Sequence, residues 1–162
     1  MLKNKKVIII FLIGILLFVT GCTHKTNQND GKERLYLTDK YYNKGEYVEV
    51  TKDELSSREN ETYLLFTYNN YCNLSVPCDQ IFAKFMDKYN IDILSIPYED
   101  FKETSFYETV KFAPSVLIIN NSKIVAYLDA ESDADLIRYQ DADEFEKWLN
   151  EYIFFVSKWV KM

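Results

Sequence analysis

The run Thr62–Tyr68, TYLLFTY, constrains the architecture more than any other part of the chain. It is rich in aromatic and aliphatic residues, and its apolar side chains fall on odd and even positions alike. A strand of that kind must be covered on both faces, so it belongs in the middle of a sheet with helices above and below. The chain can supply the cover: 48% of its 162 residues are hydrophobic and 16% aromatic.

The flanking segments agree with that reading. Asn43-Lys44-Gly45 is a turn signal, and Tyr47–Val50 reads as a short strand. Thr51-Lys52-Asp53-Glu54 has the form of a capping box, so a short helix should follow it. Ile81, Phe82, Phe85, Met86 and Tyr89 recur at helical spacing and predict a helix to about Lys88. Ile91–Ile96 is a further strand, and Tyr98–Lys111 a short helix with irregular ends. Ser115–Ile119, a turn at Asn120-Asn121-Ser122, and Lys123–Leu128 predict a hairpin. Asp129–Gln140 reads as an acidic loop. Asp141 or Asp143 can cap a last helix whose apolar stripe is Phe145, Trp148, Leu149, Tyr152, Val156, Trp159 and Val160, about five turns. The expected order is β-α-β-α-β-α-β-β-α, a mixed sheet with helices on both faces.

The N-terminus has a different character. Lys3, Lys5 and Lys6 precede an apolar run, Val7–Val19, of 13 residues. That is short for a membrane span and suits the core of a signal peptide. Val19-Thr20-Gly21-Cys22 then resembles the lipobox of bacterial lipoproteins. The resemblance implies cleavage before Cys22, a lipid on its thiol, and a protein anchored to the outer face of the cell membrane. Residues 1–21 are then the signal, 22–34 a polar tether, 35–45 an N-terminal extension and 46–162 the folded domain. His24, the only histidine, lies in the tether, so no Cys-His or Ser-His pair and no zinc site is expected in the domain. Loss of three lysines leaves 16 basic residues against 25 acidic, a formal charge of −9. Nucleic acid is not an expected partner, because the cations that neutralise phosphates are missing. Anionic lipid would be repelled, so membrane contact should come from the acyl chains. The acidic run Asp129–Asp143 lacks the central glycine and closing glutamate of a calcium loop, and no cofactor is expected.

With Cys22 lipidated, Cys72 and Cys78 are the remaining thiols, and an isolated pair outside the cytoplasm is expected to form a disulfide. Six helical steps would turn them about 240° apart with a rise of roughly 9 Å, too far for a bridge. Pro77 argues against a continuous helix there. Ser75 is a good N-cap, which would put Val76, Pro77 and Cys78 in the first turn and leave Cys72 in a loop able to curl back.

Residues 46 to 153 resemble the thioredoxin superfamily in strand order, in a cysteine at the second strand–helix junction, and in a proline opening the hairpin. Tyr63–Cys72 fits the family's buried strand and aromatic turn without a gap. Tyr71 stands where an aromatic residue precedes the nucleophile, and Cys72 stands at the nucleophile. Val110-Lys111-Phe112-Ala113-Pro114-Ser115 resembles the cis-proline segment, with Ala113 the residue whose backbone would pair with a client. The chain departs from the pattern in three places. Ser75 occupies the second cysteine's position, Phe66 that of the buried proton-transfer aspartate, and the relay's lysine has no counterpart.

The resemblance implies an α/β three-layer sandwich, thioredoxin-like. Two functions remain open. One is thiol–disulfide exchange with client proteins through Cys72 and Cys78, with Tyr71, Ala113 and Pro114 at the client-binding surface. The other is a redox-inactive binding module in which the same pair is a structural clasp. A third reading, Cys72-Asn73-Leu74-Ser75 as the C-x-x-S of monothiol glutaredoxins, lacks the basic residues that glutathione chemistry needs.

Overall fold

A computed structural model describes residues 33–69 and 76–156. In chain order the elements are β1 (Leu35–Tyr36), β2 (Tyr47–Glu49), α1 (Lys52–Ser56), β3 (Thr62–Tyr68), α2 (Cys78–Tyr89), β4 (Ile93–Pro97), α3 (Tyr98–Phe101), β5 (Ser115–Asn120), β6 (Lys123–Tyr127), α4 (Leu136–Gln140), α5 (Ala142–Asn150) and β7 (Ile153–Phe154), with 3-10 turns at Asp39–Tyr41 and Ser105–Glu108.

Five strands form one mixed sheet in the order β2-β4-β3-β5-β6. β2 and β3 run parallel to β4, whereas β5 and β6 are antiparallel to their neighbours. β3 lies in the middle with six consecutive buried residues, as its two-sided apolar pattern requires. Its side chains alternate between two cores. Leu64 and Phe66 pack with Phe82 and Phe85 of α2 and Phe145 and Leu149 of α5. Tyr63 and Leu65 pack with Leu55 of α1, Phe101 of α3 and Phe106. Helices therefore cover both faces, and the α/β three-layer sandwich is observed.

Local chemistry sets the element ends. Thr51 and Glu54 form the reciprocal capping box at α1. α2 ends at Asn90 in the left-handed region, with φ 50°. Gly45 has φ +78°, and a Cβ there would lie 2.8 Å from the Met86 carbonyl oxygen, so the turn before β2 needs glycine for both reasons. The Asp92 carboxylate holds this turn by accepting from Asn43 Nδ2 and the N–H groups of Lys44, Gly45 and Glu46 at 2.8–3.1 Å.

Three expectations are corrected. First, α2 starts at Cys78 with Pro77 as its N-cap and no side-chain cap, so Val76 and Pro77 are not in its first turn; Ser75, the expected cap, lies outside the described residues. Proline at the cap loses nothing, because the N–H it lacks would be an orphan donor in any case. Second, Asp129–Gln140 is not all loop: its last five residues form α4, whose Tyr139 is buried. Third, the last helix does not run five turns but stops at Asn150. β7 follows it and pairs parallel with β1, with Leu35 N–H donating to Tyr152 O at 2.7 Å. The strand buries Ile153 and sets Phe155 against Phe85 and Tyr89, ring centroids 5.0 Å from each. Trp159 and Val160 lie outside the described residues.

Residues 35–45 contribute to both cores through Leu37 and Tyr41, and Thr38 exchanges hydrogen bonds with Thr62 at the start of β3.

Candidate functional site

The C-terminal end of β3 and the N-terminus of α2 meet the segment that enters β5. Parallel strands β3 and β4 bring their carboxyl ends to this edge, where open α/β sheets place their ligand crevices. Cys78 is the first residue of α2 and is only 3% exposed, packed into the core between α2, α4 and the sheet. At that position its sulfur shares the partial positive field of a twelve-residue helix.

Two phenols flank Cys78. Tyr47 Oη donates to the Asp79 carbonyl at 2.9 Å. Tyr139, from α4, reaches across to the β5 entry, with its hydroxyl 2.8 Å from the Pro114 carbonyl and 2.9 Å from the Leu128 carbonyl. Burial pushes both phenols far above the usual tyrosine range. The charges of Asp79 and then Cys78 add to the shift at Tyr47. At Tyr139 a Ser115 hydrogen bond opposes the shift, and charge on Cys78 adds to it. Both stay neutral hydroxyls across physiological pH.

The Ala113–Pro114 peptide is cis, as the segment's resemblance implied. The segment is held from three sides. Asn69 Nδ2 donates to the Ala113 carbonyl at 3.0 Å, Ser115 Oγ donates to the Phe112 carbonyl at 2.8 Å, and Tyr98 Oη donates to the Lys111 carbonyl. Two large apolar side chains stand in solvent beside this edge: Val76, two residues before Cys78, and Phe112, two before Pro114, 43% and 47% exposed.

The strand beneath the site is aromatic. Phe66 sits on the helix-packed face of β3, its ring 5.5 Å from Tyr47, 5.9 Å from Tyr68 and 5.5 Å from Phe82. The strand register puts Ser95 opposite it. Phe66 therefore lies in an aromatic stack beneath the start of α2.

The site residues expected from sequence therefore divide. Cys78, Ala113 and Pro114 come together through Tyr139 and the β3 end. Tyr71, Cys72 and Ser75 lie outside the described residues, as does the lipidation residue Cys22, and so does one end of the expected bridge. Sequence reasoning missed Tyr139 and Asn69. Tyr139 had a signal, since Asp135 followed by Leu136, Ile137 and Tyr139 has the apolar spacing of one helical turn. Asn69 had none, because its partner is 44 residues away.

No protein-family model and no curated protein matches the chain. Solved structures do. A single-site variant of thioredoxin from Halobacterium salinarum aligns over 70% of this chain and 96% of its own, with 16% identity and TM-score 0.51. A thioredoxin from Nicotiana alata aligns over 67% and 93% with 15% identity and TM-score 0.48. At such identities the likeness concerns the fold, and the first match carries it. The strand order, the mixed sheet and that match establish that the chain has the thioredoxin fold.

Proposed function

We propose that this protein exchanges thiols and disulfides with client proteins outside the cytoplasm, anchored to the membrane by a lipid on Cys22. The observation that carries the proposal is the placement of Cys78: first residue of α2, buried, and tied through Tyr139 to the cis-proline segment. A buried thiol at a helix start suits the resolving role rather than the attacking one.

The step balances as follows. The Cys72 thiolate attacks one sulfur of a client disulfide. The client S–S bond breaks and its other sulfur leaves as a thiolate. The Cys78 thiolate then attacks Cys72 in the mixed disulfide, the second client thiolate leaves, and the Cys72–Cys78 disulfide carries the two electrons' worth of oxidation. The reverse sequence oxidises a client dithiol. A client strand would lie along Ala113, exchanging with Asn69 for its carbonyl, with its apolar side chains against Val76 and Phe112.

The test is a Cys78→Ser variant, which leaves the mixed disulfide unresolved. Clients should be trapped on Cys72 and released by reductant. If neither this variant nor Cys72→Ser traps any client, the exchange reading fails.

The aromatic stack around Phe66 favours a second reading, a redox-inactive binding module with the cysteine pair as a clasp. An aromatic ring at Phe66 offers no proton acceptor of its own, which suits a bridge that stays closed. Redox titration separates the two. A clasp would titrate below about −300 mV and an exchanging pair above it.

A further inference from the structure

Helix α4 gives only Tyr139 to the core, and it is held at the site by several further contacts. Tyr139 anchors it to Pro114 and Leu128, its ring lies 6.0 Å from Phe82 of α2, Asp135 pairs with Arg138, and the Asp135 carboxylate accepts from Asp129 N–H at 2.9 Å. One turn before Tyr139, Leu136 and Ile137 point into solvent, 46% and 51% exposed. A short helix anchored through Tyr139 to the cis-proline segment, and displaying two branched aliphatic side chains, presents an apolar face that is uncovered among the described residues. The surrounding charge is of one sign. Between Asp129 and Asp143 there are six acidic residues and one basic residue, Arg138, and Glu131, Asp133, Asp141 and Asp143 are exposed.

We infer that α4 forms one lip of the client-binding surface and selects extended polypeptide segments that combine aliphatic side chains with lysine or arginine. The inference rests on the exchange reading for its biological setting. Charge chooses the occupant. A second copy would bring two acidic faces together, and an anionic membrane would be repelled, whereas a basic, aliphatic segment satisfies both the apolar pair and its acidic border.

The experiment uses the full-length chain in zwitterionic lipid nanodiscs and a fluorescein-labelled nonapeptide alternating lysine and valine, without cysteine. Its counterpart has glutamate for each lysine, and empty nanodiscs serve as the blank. By anisotropy, the lysine peptide should bind at least tenfold tighter than the glutamate peptide. The paired substitution Leu136→Ser with Ile137→Ser should weaken it at least tenfold, and Glu131→Gln with Asp133→Asn several-fold. All four side chains are partly or fully outside the core, so far-UV circular dichroism should be unchanged. Equal affinity for the two peptides overturns the inference, and so does unaltered binding after the Leu136/Ile137 change. A Leu136/Ile137 variant that loses only self-association makes the occupant a second copy and also overturns it. Because the probe has no cysteine, the result is independent of trapping on Cys72. Trapping without peptide selectivity sinks only this inference, and selectivity without trapping sinks only the exchange reading.

Discussion

Replacing Tyr139 by Phe removes one oxygen from the centre of the site and little else. The ring keeps its contact with Phe82, 6.0 Å between centroids, and its place in the core. The hydroxyl donor to the Pro114 and Leu128 carbonyls is lost, and those acceptors lie against a side chain only 3% exposed. Leaving a buried acceptor unmade costs about 1–3 kcal/mol, so the central expectation is a loss of about 2 kcal/mol. With a urea m-value of about 2 kcal/mol/M, the midpoint should fall by about 1 M at pH 7.

The pH dependence sharpens this prediction. Burial raises the Tyr139 phenol above its unfolded value. Its contribution is therefore fully present below the unfolded pKa of about 10 and is lost as pH rises through the folded value. At pH 11 the unfolded chain gains about 1.4 kcal/mol by ionising this group while the folded protein keeps the proton. The Phe variant escapes that penalty. The gap between the two proteins should shrink from about 2 to about 0.6 kcal/mol, or to about 0.3 M in urea midpoint. The assay is urea unfolding followed by far-UV circular dichroism at pH 7 and pH 11. A gap that stays constant or widens between those values refutes the reasoning, since the hydroxyl would then be neither a buried donor nor a group of raised pKa.

Two further outcomes follow from polar groups elsewhere in the core. Thr67 is fully buried, and its Oγ1 has no hydrogen-bond partner among the described residues; Thr67→Val keeps the shape and should leave stability unchanged or raise it by about 1 kcal/mol, and a loss of stability of more than about 1 kcal/mol in urea unfolding would contradict it. Burial of Asp92 is outweighed by its bonds from Glu46, Asn43, Lys44 and Gly45, which hold its carboxyl below the usual range. Asp92→Ala should cost at least about 3 kcal/mol near neutrality. That contribution is present above about pH 3.9 and disappears as pH falls through the lower folded value, so the gap should close in acid; a gap independent of pH would refute it.

Much of the fold was legible in the sequence because its signals are local. TYLLFTY marked the central strand to the residue, Thr51 and Glu54 marked the start of α1, and the hairpin turn at Asn121-Ser122 followed from its residue types, both adopting positive φ. The α2 stripe of Ile81, Phe82, Phe85 and Met86 was read from spacing alone, and all four side chains are buried. The cis-proline segment was recognised from its resemblance to a family pattern, not from any local physical cue.

What the sequence could not determine was how distant segments compete for the same backbone. The apolar stripe past Asn150 fits a continuing helix, and only the presence of Leu35–Tyr36 as a pairing partner makes a strand the better state, since it satisfies backbone groups on both segments while still burying Ile153. Helix α4 is similar. Five residues cannot hold a helix by propensity, and the Tyr139 hydroxyl, bonded to carbonyls 25 and 11 residues away, fixes it in place. The sequence by itself determined the alternation of strands and helices, because hydrophobic periodicity is set by neighbours a few residues apart. The tertiary structure alone decided which groups surround Cys78, because Tyr47, Tyr139 and Pro114 are brought to it by sheet order, and no local pattern encodes that convergence.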